Sequence, residues 1–198
     1  MTAMIGARRP TKETDKVSRS STTEIPRIVT ERLILRAHCA GDFEASFAMW
    51  SDADVVRHIG GVPSTAANAW SGLLRYGGLW RFLGYGYWAV EDRATGRFIG
   101  EVGFADFKRD IGRDFDGVPE AGWVISPNWA GRGYATEAMR AALEWFDQSM
   151  PGTESFCMIA PANGASIKVA QKLGYAVYKQ IAYKEGSVQI HLRPSCQS

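Results

Sequence analysis

Between Ile125 and Glu137 the chain reads Ile-Ser-Pro-Asn-Trp-Ala-Gly-Arg-Gly-Tyr-Ala-Thr-Glu. An apolar, strand-like run over 118–125 is punctuated by Pro127, a glycine-bearing loop follows, and a strongly periodic helical pattern opens directly out of it. Gly131 and Gly133 allow a tight turn and a close approach of a ligand to bare backbone. The first amides of a helix have no intrahelical partner, and the helix dipole adds partial positive charge there. Ala130, Gly131, Arg132, Gly133, Tyr134, Ala135 and Thr136 thus have the makings of a pyrophosphate cradle. Two common phosphate loops do not fit. The dinucleotide pattern needs a third glycine where Thr136 stands, and the triphosphate loop needs Gly-Lys followed by Ser or Thr. A plain strand-to-helix turn would read the same way, so the loop alone does not decide the matter.

The stretch resembles the acetyl-coenzyme A loop of the GNAT superfamily of N-acetyltransferases, whose pattern is Gln/Arg-x-x-Gly-x-Gly/Ala. Gly133 and Ala135 fill its last two defined positions, while Ala130 stands where Gln or Arg is usual. The string from Trp129 to Ala138 is similar to the branch containing the ribosomal-protein-alanine acetyltransferases. Three further segments carry the same resemblance. They are Thr30-Glu31-Arg32-Leu33-Ile34-Leu35-Arg36, a hairpin of Trp88–Val90 and Phe98–Phe104 about the turn 92–97, and Asn163–Tyr175. Together they span roughly residues 30 to 193 in the family's order.

The resemblance implies acetyl transfer from acetyl-CoA to a primary amine by direct attack, without metal. That chemistry needs a group to take the ammonium proton, a fixed donor for the thioester oxygen, and a proton for the departing thiolate. Glu120 is the first candidate base, because alternation puts Glu120, Gly122 and Val124 on one face of a strand that the family opens toward the acetyl group. Glu101 on the preceding strand is the second. Either could instead be a solvated or salt-bridged strand carboxylate. The backbone of Trp123, Val124 and Ile125 is expected to pair with pantetheine, and Gly122 to mark a bulge or a close backbone approach. Trp123 and Ile125 can pack in the core at the same time. Many family members have a Tyr where this chain has Ala170. The branch it resembles has a Ser at the position of Ser166, a candidate acid that could also merely serve the helix start capped by Asn163. Asn163 is expected both to cap and to contact the coenzyme arm. His58 falls in a loop between helical regions that in this family wall the acceptor pocket, so it could sit near the substrate, although a loop His is more often just a solvated side chain. Trp50, Trp70, Tyr85, Tyr87 and Trp88 are candidates for an apolar acceptor pocket or for core.

The elements that must position these groups follow from periodicity. Strands are expected near 29–36, 85–91, 97–107, 118–125, 154–160, 175–184 and 187–193, the last two joined by a turn at Glu185-Gly186. Helices are expected over Asp42–Trp50, with Phe43, Phe47 and Trp50 at helical spacing, and over 65–80, with Trp70, Leu73 and Leu74 on one side. A third, over 133–148, carries Ala135, Ala138, Met139, Ala142 and Phe146 as a buried stripe, and a fourth runs from Asn163 to Leu173, closed by Gly174. This is an α+β (mixed α/β sheet) domain; the resemblance implies a central, mostly antiparallel, splayed sheet flanked by helices.

Composition bounds the rest. The 198 residues are expected to form one domain over 27–198, preceded by a flexible extension over 1–26 rich in Ser, Thr, Arg and Lys. Arg8-Arg9 is not followed by an apolar run, and Glu13, Asp15 and Glu24 argue against a transit peptide. A net charge of +2 is too weak for a nucleic-acid partner, and no apolar run is long enough to span a bilayer. Three cysteines without metal-ligand spacing (Cys39, Cys157, Cys196) suit reduced thiols and a cytoplasmic location, with Cys157 a small core residue. A homodimer is allowed. The leading acceptor class is a protein N-terminal amine, followed by a small-molecule amine such as an antibiotic, amino acid or polyamine. A noncatalytic acyl-CoA-binding regulator on the same fold is the alternative of a different class.

Overall fold

A computed structural model of the protein describes residues 24–195. The N-terminal extension lies outside these residues except for its last three, as does Cys196. Within that stretch, Ile25 sits against the main core, and the carbonyl of Pro26 accepts from the Trp88 indole at 2.8 Å.

Eight strands of the described residues form one sheet: β1 (Ile28–Val29), β2 (Leu33–Arg36), β3 (Tyr87–Asp92), β4 (Phe98–Ala105), β5 (Glu120–Ile125), β6 (Ser155–Ile159), β7 (Ala176–Tyr183) and β8 (Gly186–Arg193). Their spatial order is β1-β2-β3-β4-β5-β6-β8-β7, antiparallel throughout except for the parallel pair β5–β6. Among the described residues, five helices flank it: α1 (Phe43–Trp50), α2 (Ala53–Val56), α3 (Ala66–Leu83), α4 (Tyr134–Ser149) and α5 (Gly164–Lys172). Among the described residues, no helix is long and apolar enough to cross a membrane.

The single first strand expected near 29–36 is two strands. The Thr30 hydroxyl accepts from the Leu33 amide at 2.9 Å, and the Thr30 amide donates to the Leu33 carbonyl at 2.9 Å. This local turn reverses the chain, pairing Ile28 with Leu35. The 92–97 turn holds as a hairpin because Asp92 accepts from the Thr95 amide and hydroxyl, and Gly96 adopts φ +70°. The last hairpin turns one residue earlier than expected, at Lys184-Glu185, with Gly186 already in β8.

The sheet has two differently used faces. Leu33, Leu35, Trp88, Val90, Val102 and Phe104 point to one side, where Ala138, Met139, Ala142 and Phe146 of α4 bury fully against them. The stripe expected on α4 is this buried face, and Ala135 lies at its half-buried edge. The other face carries Tyr87 on β3, Glu101 and Gly103 on β4, and Glu120, Gly122 and Val124 on β5, in cross-strand register. α1 and α3 cover that face, and their buried residues differ from those expected. α1 buries Ser46 and Met49, and leaves Phe43 and Phe47 half-buried. α3 buries Ala69, Leu73, Tyr76 and Trp80 at i, i+4, i+7 and i+11, which turns Trp70 and Leu74 outward. A polar Ser and a Tyr occupy the buried stripes because a buried carboxylate lies beneath them.

Candidate active site

β5 and β6 share a single register pair, Glu120 with Phe156, closed by the Phe156 amide on the Pro119 carbonyl at 3.1 Å. Beyond that junction the strands diverge. Ser126 donates its amide to Ile99 of the β4 side at 2.8 Å, so alternation turns the main chain of Val124 toward β4 and that of Trp123 and Ile125 toward the gap. Two of the three expected pantetheine positions therefore present free main-chain groups, while that of Val124 is spent within the sheet. The β4–β5 register runs without a shift through Gly122, so no bulge stands there. Gly122 is required for another reason: a Cβ would meet the Tyr87 hydroxyl at 2.0 Å.

The gap opens into a cleft of about 1450 Å³. Its wall includes Trp123, Val124, Asn163 and Ser166, expected to meet the coenzyme, together with Ser46, Trp50, His58, Tyr76, Tyr87 and Glu120. Ile125 and the loop from Ala130 to Thr136 are not part of this wall; the loop forms an exposed lip where α4 begins. Trp88 and Tyr85 are core under α4, and Trp70 packs edge-on against Phe43. Cys157 is buried, and burial pushes its thiol up, as suits a small core residue.

Gly133 is the N-cap of α4 at φ +82°, Gly131 lies at φ +76°, and the first helical bond runs from Glu137 N to Gly133 O. The amides of Tyr134, Ala135 and Thr136 therefore precede the helical ladder. A Cβ at Gly131 would meet nothing within 4 Å, and one at Gly133 only the Arg32 guanidinium at 3.6 Å. Open space over bare amides at a helix start fits a pyrophosphate.

The lip is clamped by residues whose motif reads, in the sequence, only as a strand. Glu137 accepts from the Thr30 hydroxyl (2.6 Å), the Arg32 amide (3.0 Å) and the Arg32 guanidinium (2.7 Å). Arg32 also reaches the Arg132 carbonyl at 3.0 Å and stacks over Tyr134 at 4.4 Å. Burial would raise the Glu137 carboxyl, but the Thr30 and Arg32 hydrogen bonds outweigh it and hold the group below the usual range. Its stabilisation is therefore present above the unfolded carboxylate pKa and lost as pH falls through the depressed folded value. Glu137→Gln should lower stability by about 1 kcal/mol at neutral pH, Arg32 being part-exposed, and should flatten the acid side of the stability curve. It should also weaken coenzyme binding several-fold, measured by calorimetry beside chemical denaturation at pH 7 and pH 4.

The two candidate carboxylates differ in kind. Both oxygens of Glu120 are held by Arg109, Nε to Oε2 at 2.5 Å and Nη2 to Oε1 at 2.8 Å. Glu101 is fully buried and does not itself reach the cleft. Its Oε1 accepts from the Ser46 hydroxyl at 2.7 Å, and its Oε2 from the Trp50 indole at 2.9 Å and the Tyr76 hydroxyl at 2.8 Å. Burial raises its pKa above the ordinary carboxylate value against those three hydrogen bonds. The three donors all line the cleft, so Glu101 meets it through them. Tyr76 is fixed in a stack between His38 and Tyr87, each 4.8 Å from it. Burial brings His38 down to about 4, which keeps that ring neutral. Arg109, Ser46 and Tyr76 carry no motif in the sequence.

At α5 the cap is made by the Asn163 carboxamide, which accepts from the Ser166 amide at 3.1 Å, so the Ser166 hydroxyl is not the capping acceptor. Ala170 is fully buried among Leu173, Tyr175 and the α4 face. The position of the family's common Tyr therefore points into core in this protein. Ser166→Ala should depress turnover more than coenzyme affinity, with an unchanged melting temperature. Ala170→Tyr should restore nothing and should destabilise by about 3 kcal/mol or more through overpacking. Steady-state kinetics with a parallel melt separates the two.

The GNAT acetyltransferase domain model matches residues 32–176, and the chain belongs to that family. It is an acyl-CoA-dependent N-acetyltransferase. The protein YkkB of Bacillus subtilis (strain 168) is 28% identical over 174 residues, covering 85% of this chain and 96% of its own. The N-acetyltransferase YoaA of the same organism is 26% identical, covering 82% and 91%. A GnaT-family acetyltransferase structure from Bordetella pertussis superposes with a TM-score of 0.77 at 31% identity, over 85% of this chain and 99% of that one. Among the described residues, no group of three or more His, Cys, Asp or Glu side chains is placed to hold a metal ion.

Proposed function

We propose that the protein transfers the acetyl group of acetyl-CoA to a primary amine within the β5–β6 cleft. The observation that carries this is the splay itself, with the Trp123 and Ile125 main chain facing the gap and the α4 lip beyond. Pantetheine pairs along β5 as a further strand, and the pyrophosphate rests on the amides of residues 134–136. The Trp123 or Ile125 amide donates to the thioester oxygen as it gains charge.

Glu101 takes the proton through Ser46. The ammonium gives a proton to the Ser46 hydroxyl oxygen as that hydroxyl passes its own to Glu101 Oε1, leaving a free amine to attack the thioester carbonyl. A raised pKa suits a carboxylate that must hold a proton during the step. Glu120, with both oxygens engaged, anchors Arg109. Collapse of the tetrahedral intermediate breaks the C–S bond, and the surplus proton on the attacking nitrogen passes through the Ser166 hydroxyl or a water to the departing thiolate, which leaves a neutral amide and a thiol.

Fold neighbours include proteins described as a ribosomal-protein-serine acetyltransferase (17% identical) and a spermidine N-acetyltransferase (16% identical), both from Vibrio cholerae. A protein N-terminal amine and a small-molecule amine are both compatible with the open cleft. Free-thiol release from acetyl-CoA against peptides, amino acids and polyamines tests the reading. Amine-dependent release is expected; coenzyme binding with no release for any amine would favour a noncatalytic regulator.

A further inference from the structure

The inner rim of the cleft is an arc of alternating cations and aromatic rings. Arg75 of α3 lies over Phe107 at 5.1 Å, and Arg109 lies over the same ring at 4.7 Å. Arg109 also lies over Tyr183 at 5.9 Å and donates to its hydroxyl at 3.1 Å; Lys184 lies over that ring at 5.7 Å. All five residues line the cleft. They arrive from three separate segments: α3, the loop after β4 and the β7–β8 turn. Arg109 is held between Lys108 at φ +51° and Asp110 at φ +53°, and Lys184 itself is at φ +51°, conformations that are uncommon for side-chain-bearing residues.

The carboxylates of the cleft do not offset this arc. Glu120 is spent on Arg109, and Asp106 on Lys108. Glu101 lies behind Ser46, Trp50 and Tyr76, so among the described residues that line the cleft only the exposed Glu185 at the turn stands against the surplus. Among the described residues, neither Arg75 nor Lys184 has a carboxylate within ion-pair distance. The Arg109 N–H groups are taken by Glu120 and Tyr183, but Arg75, stacked on Phe107, keeps its N–H edge free among the described residues, in the geometry that grips a carboxylate or phosphate in a fork.

We infer that this arc seats an anionic group, a carboxylate or a phosphate, carried by the acceptor amine. The inference rests on the transferase reading above and narrows its substrate class. A polycationic amine would meet the like charges of Arg75 and Lys184 along the rim, which the single exposed carboxylate of Glu185 does not offset.

Product-type ligands test the arc, because they bind without turnover. The full chain, loaded with CoA, is titrated calorimetrically with two matched pairs: N-acetyl-phenylalanine against N-(2-phenylethyl)acetamide, and N-acetyl-phosphoethanolamine against N-acetylethanolamine. N-acetylspermidine is the cationic control. At least one anionic member should bind about tenfold or more tighter than its uncharged twin, as charge-assisted hydrogen bonds predict. The pair that responds tells carboxylate from phosphate. Arg75→Ala with Lys184→Ala, both at exposed positions, should erase the preference, and Arg75→Lys should retain part of it. No anionic preference in either pair, tighter binding of acetylspermidine, or a preference that survives the double variant would overturn the inference. Thiol release by the same preparation keeps the two readings apart. Anion-selective binding without release for any amine contradicts the transferase reading alone, whereas amine-dependent release without anion selectivity contradicts the arc alone.

Discussion

Glu101→Gln lowers the rate of acetyl transfer by about 10²-fold or more, while acetyl-CoA binds as before. The carboxamide has the same shape and can donate to Ser46 while its oxygen accepts from Trp50 and Tyr76, so the pocket stays built. Only the ability to take the proton is lost. The Glu101 pKa is raised by burial, so the acid limb of kcat/KM in the wild type should lie above the ordinary carboxylate range and vanish in the variant. Stability follows the opposite sign from that of Glu137. The folded protein holds the Glu101 proton more tightly than the unfolded chain does, so this group's contribution falls as pH rises from the unfolded to the folded pKa. Glu101→Gln should therefore melt no lower than wild type at neutral pH. Glu120→Gln provides the contrast: it should loosen Arg109 and cost stability, with turnover closer to wild type. Steady-state rates of both variants over pH, with melts, check this; a large rate loss confined to Glu120→Gln would return the base to β5.

Gly133→Val removes coenzyme binding, raising the dissociation constant at least about 100-fold, or on the order of 3 kcal/mol. A branched side chain fills the open space above the α4 amides where the pyrophosphate belongs. It also costs about 1–2 kcal/mol of stability, because φ +82° is the left-handed region. Gly133→Ala separates the two effects. It carries the same backbone strain, its Cβ meets only the Arg32 guanidinium at 3.6 Å, an ordinary contact, and it should retain more binding than the Val variant. Calorimetric titration of both with acetyl-CoA, beside their melting temperatures, makes the comparison; equal affinities for wild type and Gly133→Val would remove the pyrophosphate from the lip.

What the sequence made legible is what local spacing encodes. The α4 stripe, the glycine turn before it, the Asn163 cap and the Gly174 stop each depend on residues within a turn or two of one another, and each stands where periodicity puts it. The carboxylates were visible as candidates, but their states were not. Ser46 and Trp50 lie more than fifty residues from Glu101 and Tyr76 lies twenty-five away, so the buried charge and its donors meet only once α1 and α3 have crossed the sheet. The Arg109 partner of Glu120 comes from an irregular loop with no periodicity to read. Likewise, Thr30 and Arg32 announce a strand, and their second role as the clamp on α4 is created by a contact more than a hundred residues away.

Hydrogen exchange of the backbone amides with and without acetyl-CoA tests the central claim, a coenzyme docked in the β5–β6 splay, most directly. The amides of Trp123 and Ile125 face the gap and those of residues 134–136 precede the helical ladder, so both sets should exchange quickly alone and become protected together on binding. The Val124 amide, already turned toward β4, should change little. Saturating acetyl-CoA that leaves Trp123, Ile125 and residues 134–136 unprotected, or that protects a different surface, would contradict the account.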